Sequence, residues 1–151
     1  MKKSQWIISL FSIFLGIAIC SCSSNTENEK HIGEWEGVSE GKMVNMVLDE
    51  SMNAIMSGDG QETIGGDDYY VKEGLRGFCK YEIDYSKNPI WLDIVLSDED
   101  PNSNIEVKLI GIIRFLAEDK IEYRMSPPFS KDRFGDFNEK GEGVTMFLVK
   151  K

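Results

Sequence analysis

Between residues 77 and 125 the chain places an apolar side chain at nearly every second position, and this alternation limits what it can fold into. In 77–85, Cys79, Tyr81, Ile83 and Tyr85 alternate with Lys80, Glu82 and Asp84. In 105–115, Ile105, Val107, Leu109, Gly111, Ile113 and Phe115 form one face and Glu106, Lys108 and Arg114 mark the other, although Ile110 and Ile112 blur it. In 121–125, Ile121, Tyr123 and Met125 alternate with Glu122 and Arg124. Successive side chains of a strand point to opposite faces, so a period of two means one buried and one wet face, as in antiparallel sheets. Further strands are predicted at Gly33–Ser39, 43–49, 52–57, 68–72, 90–96 and Val144–Lys150, separated by stretches rich in Gly, Asp, Asn and Pro. Ala117-Glu118-Asp119-Lys120 reads as a hairpin turn. Nothing beyond the N-terminal segment sustains a helical period over three turns. Roughly nine short strands in about 120 residues predict an all-β fold, an antiparallel barrel or a closely related β-sandwich. Closing the sheet removes the exposed edges that such a chain would otherwise present.

The first residues follow a different rule. Lys2 and Lys3 precede an apolar run from Trp6 to Ile19, broken only by Ser9, Ser12 and Gly16. At roughly 14 residues this run matches a signal-peptide core and falls short of the ~20 that a spanning helix needs. A lipoprotein signal ends with a small residue before the cysteine that receives the lipid. Cys20 follows the β-branched Ile19, whereas Cys22 follows Ser21, with Ile19 three residues upstream. Cys22 is therefore the expected lipidation site and Cys20 the alternative. The expected organisation is a signal peptide at 1–21, a flexible acylated tether at 22–31 and a β domain at 32–151. The tether residues Ser23 to Lys30 are polar, with nothing to bury. Acyl chains such as palmitate on Cys22 hold the protein to a membrane, each buried methylene contributing about 0.8 kcal/mol. The cell envelope follows as the location, with the outer membrane as the expected site.

The chain has 17 basic and 26 acidic residues, and signal cleavage removes Lys2 and Lys3 but no acid. Such a negative chain repels nucleic-acid phosphates and gains nothing on an anionic lipid surface, so neither is an expected partner. With Cys20 removed and Cys22 acylated, Cys79 is the only thiol left, and an internal disulfide is excluded. Cys79 sits in an alternating pattern and is expected as a small buried apolar residue. His31 is the sole histidine. Without a second histidine or a cysteine cluster there is no zinc-type site, and no cofactor is expected.

Gly33-Glu34-Trp35 resembles the Gly-x-Trp signature of lipocalin-type barrels. The resemblance implies that Gly33 permits a tight entry and that Trp35 plugs the closed end. A basic residue of the last strand, here Lys150 or Lys151, would stack on the tryptophan. A longer stretch, Tyr81 to Pro89 followed by Ile90-Trp91-Leu92-Asp93-Ile94, is similar to the core of a family of small bacterial domains of uncharacterised function, often described as lipocalin-like. Gly111-Ile112-Ile113-Arg114-Phe115, Pro127-Pro128 and the closing Met146 to Lys151 continue that likeness in order, with Ile113 where the family has an aromatic residue. The resemblance implies a fold and no agreed activity. Ser23 and the acids after it resemble the tethers of Bacteroidetes surface lipoproteins.

Tyr81, Tyr85, Phe115, Tyr123 and Met125 fall on inward-predicted faces. In a small barrel they are the candidate ligand-binding residues, lining an apolar cavity with tyrosine hydroxyls as fixed polar contacts. The competing expectation is that the same side chains simply fill the core. The acidic stretch 98–104 is dense in oxygen donors but does not match a calcium loop, which needs Gly at its sixth position and Glu at its twelfth. It and Asp67-Asp68 read as solvated turns. There is no Gly-x-Ser-x-Gly, and one histidine at the domain edge makes no triad, so an enzyme is not expected. The expected function is a membrane-anchored lipocalin-like lipoprotein that binds a small apolar ligand. The alternative is a protein-binding envelope module or inhibitor.

Overall fold

The computed structural model describes residues 29–59, 63–66, 70–72, 75–100 and 102–151, without the side chains of 70–72 and 75–76. The expected signal peptide, Cys20, Cys22 and most of the expected tether lie outside the described residues, as do Asp67 and Asp68. The elements in chain order are β1 (Gly33–Ser39), β2 (Lys42–Leu48), β3 (Ala54–Gly58), β4 (Tyr70–Lys72), β5 (Leu75–Asp84), β6 (Ile90–Asp98), β7 (Glu106–Leu109), β8 (Gly111–Ala117), β9 (Lys120–Met125) and β10 (Val144–Lys150).

All pairings are antiparallel, and the sheet runs β3-β2-β1-β10-β9-β8-β6-β5-β4, with β7 also on β6. Its two ends come together where Asn53, just before β3, pairs with Lys80 of β5, and the Tyr81 N–H donates to the Met52 carbonyl at 2.9 Å. The result is a nearly closed eight-stranded antiparallel barrel, consistent with a lipocalin-like barrel. Among the described residues no helix is long and apolar enough to cross a membrane.

The stretch predicted as one strand, 105–115, is two. The chain bends at Ile110, whose carbonyl accepts the Ser126 N–H at 2.9 Å, and the Gly111 N–H turns to the Asp93 carboxylate at 3.1 Å. Glycine is required there, because a Cβ on residue 111 would lie 2.5 Å from the Tyr123 ring, 2.9 Å from the Leu92 carbonyl and 3.0 Å from that of Arg124. The bend lets β6 pair with β7 along one half and with β8 along the other.

Alternation sorts the side chains. Trp35, Met46, Leu48, Ala54, Cys79, Tyr81, Leu92, Ile94, Ile113, Ile121, Tyr123, Met146 and Leu148 form one buried cluster inside the barrel. Each fully buried side chain of this kind contributes about 1.5–3 kcal/mol, and the free Cys79 is among them. Ile112 is fully buried yet outside that cluster, on the outer wall. There its cross-strand neighbours are Trp91 and Arg124. The segment 126–143 covers this region, with Arg133 stacked on Trp91 at 4.3 Å and Arg124 on Phe134 at 3.7 Å.

The barrel thus has two distinct ends. The turns at 49–53, 85–89 and 118–119 and the C-terminus form the floor, while the β1–β2 turn and the start of 126–143 form the mouth.

Candidate functional site

At the floor, Gly33 has φ +138°, and a Cβ there would lie 2.5 Å from Lys150 Cε. The bare backbone leaves room for the lysine stem, whose Nζ lies 5.4 Å from the centre of the Trp35 ring, within cation–π range. Trp35 is 1% exposed, and its indole N–H donates to the His31 carbonyl at 2.8 Å. Lys151 turns instead to Glu36, at 2.6 Å.

His31, read from sequence as the last tether residue, is 3% exposed and belongs to the floor. Its Nε2 lies 3.0 Å from the Tyr81 hydroxyl and its Nδ1 lies 2.7 Å from that of Tyr85. Tyr81 donates its one hydroxyl proton to the Asp49 carbonyl at 2.6 Å, so its oxygen accepts from His31. That sets the Nε2–H tautomer, and the Nδ1 lone pair then takes the Tyr85 proton. Burial raises the pKa of both tyrosines, Tyr81 with help from the Asp49 charge and Tyr85 up to about 12. Sequence reasoning missed this network because nothing local links residue 31 to strand β5, more than forty positions away.

The five candidate ligand residues do not converge. Tyr81 and Tyr85 are held by His31 at the floor, and Phe115 packs against the lower core. Tyr123 is wholly buried with no hydrogen-bond partner for its hydroxyl, and burial pushes its pKa up, reinforced by the Asp93 charge. Met125 alone of the five faces the mouth, while Tyr81 and Tyr85 line an open groove at the floor and Phe115 lines a hollow beside the 117–119 turn and the C-terminus. These positions face inward as predicted, but strand alternation does not say how deep along the barrel each one sits.

The open space is a cup of about 230 Å³ at the mouth. Met56, Met125 and Met146 line it with Val44, Ile64, Leu109 and Val144, and Ser39, Glu40, Lys42, Met43, Asn45, Ser57 and Asp59 stand at its rim. Met46, Ala54 and Tyr123 at 0–1% exposure fill the barrel below it. The methionine lining had no local signal in the sequence, because Met56 lies 69 positions from Met125 and 90 from Met146. A larger hollow at the floor, about 590 Å³, is an open groove with Glu29, Glu50 and Asp84 on its walls.

The acidic turn after β6 spends its oxygens on itself. Asp98 accepts the Asp100 N–H, and Asp100 accepts both the main-chain and side-chain N–H of Asn102. Hydrogen bonding, first from the Ser103 side chain, holds Asp98 below its usual range. Among the described residues no three His, Cys, Asp or Glu side chains are grouped to hold a metal ion. Cys79 is buried, and burial alone raises its thiol to about 12.

Comparison with protein-family models, with curated proteins and with solved structures finds no match to this chain.

Proposed function

We propose that this chain is an envelope lipoprotein, acylated at Cys22, whose lipocalin-like barrel binds a small apolar ligand in the methionine-lined cup at its mouth. The observation that carries the reading is the contrast between the two halves of the barrel. Below, side chains fill the interior; above, a concave apolar surface stays open with polar groups at its rim, the usual make-up of a small-molecule site. Methionine suits such a site because its unbranched side chain adapts to what it touches. The function is binding and not catalysis, and the floor network of His31, Tyr81 and Tyr85 acts as a structural latch. Native mass spectrometry of protein released gently from its own membranes should show a retained small molecule. A ligand-free spectrum under those conditions, together with no uptake of apolar probes, contradicts the reading. Cys22→Ser should lose lipid labelling and leave the membrane fraction, while Cys20→Ser should not.

A second reading, a protein-binding module, rests on the outer wall. Val38, Met43, Phe147 and Val149 are 39–56% exposed, and Val38 pairs directly with both Met43 and Phe147. Contiguous exposed apolar side chains often mark an interaction surface. A Phe147→Glu variant that loses a stoichiometric envelope partner while keeping the cup's ligand would favour this reading.

A further inference from the structure

We infer that the cup takes a small planar aromatic molecule of one or two fused rings with one polar substituent, in preference to an acyl or alkyl chain. The inference rests on the cup being the binding site and adds the class of ligand.

Three observations carry it. The first is depth. An extended chain needs a long narrow channel, and here the barrel is closed immediately below the cup: Met46 and Tyr123 are 0–1% exposed and Ala54 is fully buried. A ligand entering from the mouth must therefore be short and wide. The second is volume. An apolar cavity of roughly 150 Å³ accepts benzene, so the cup's approximately 230 Å³ suits a bicyclic ring system. The third is the lining. Met56, Met125 and Met146, on β3, β9 and β10, face one space. These are three of the six methionines beyond the first residue.

Thioether sulfur makes favourable contacts with aromatic rings that it does not make with alkyl groups. Met56 lies on β3, while Met125 and Met146 lie on the adjacent strands β9 and β10, separated from β3 by β2 and β1, so methionines reach the cup from two parts of the wall. The aromatic side chains of the interior, Trp35, Tyr81 and Tyr123, are buried beneath, and none of them lines the cup. Ser39 lines the cup, and its hydroxyl oxygen, whose proton goes to the Thr145 carbonyl at 3.2 Å, can accept a hydrogen bond from a hydroxyl or amide substituent.

The test is equilibrium dialysis of the mature lipidated protein in lipid nanodiscs, with empty nanodiscs as the blank. The probes are 2-naphthol and decan-1-ol, which have the same number of carbons and one hydroxyl each. The native protein should hold 2-naphthol at least tenfold more tightly. In a variant carrying Met56→Leu, Met125→Leu and Met146→Leu, which keeps volume and apolarity, that preference should fall to about threefold or less. Decan-1-ol affinity should stay the same. Equal affinities in the native protein, or a preference untouched by the triple variant, overturn the aromatic assignment and leave the cup standing as a general apolar site. Binding of neither probe above the blank overturns the cup itself. The native comparison decides the question even where the triple variant does not fold.

Discussion

His31 is joined through both ring nitrogens to tyrosine hydroxyls, and its own carbonyl anchors Trp35. Removing the imidazole leaves Tyr81 without its donor and opens a void at the floor. We expect His31→Ala to destabilise the fold by about 2–4 kcal/mol, read as a lower urea midpoint at unchanged slope; a change below about 0.5 kcal/mol would mean the latch is ornamental. Cys79 and Tyr85 give a second prediction at this scale. Both have folded pKa values near 12, above the ordinary 9.0 and 10.0. Well below pH 9 both groups are protonated whether folded or not, so their contribution to stability is complete. As pH climbs from 9 toward 12 the unfolded chain ionises first, and that contribution is lost. Urea melts should therefore weaken steadily over this window, and Cys79→Ala should make the decline shallower. A decline equally steep in that variant would contradict burial as its cause.

At the scale of elements, the segment 126–143 works as a strap on the outer wall. Arg133 grips Asp93 through two bonds of 2.5 and 2.8 Å, donates to the Gly111 carbonyl and stacks on Trp91. The two side chains are only 16% and 9% exposed, so the pair is shielded from solvent. Lysine cannot reproduce a two-pronged, stacked contact, and Arg133→Lys should cost about 2 kcal/mol in a thermal melt. Gly37→Ala should do more harm, because its Cβ would fall 1.9 Å from the Phe147 carbonyl and push β1 from β10. We expect that variant to be recovered mostly insoluble, and a soluble one with native melting would show that the seam can open. The strap also explains a misreading of the sequence. Ile112 blurred the alternation because the strap buries the outer wall at that point, and the single strand predicted over 105–115 breaks at Ile110 because Asp93, eighteen positions earlier, captures the Gly111 N–H. β1 and β10, by contrast, were legible to the residue, since only their own alternation sets them.

For the whole molecule, an all-β fold, barrel or sandwich, was readable from strand count and period, because these are local properties of the chain, and the structure shows which of the two it is. The depth of each inward residue was not. Tyr81, Tyr123 and Met125 obey the same alternation, yet one sits on the floor, one in the middle and one in the cup, since register between distant strands fixes height. The central claim is that ligand binds in the cup and nowhere else. Methionine methyl groups report it directly, because Met56, Met125 and Met146 line the cup while Met52 lies beside the floor groove. In carbon-13 methyl spectra of the protein titrated with 2-naphthol, the three cup signals should move together along one saturating curve, with Met52 unmoved. Signals that stay fixed, or a Met52 shift that saturates first, would contradict the account.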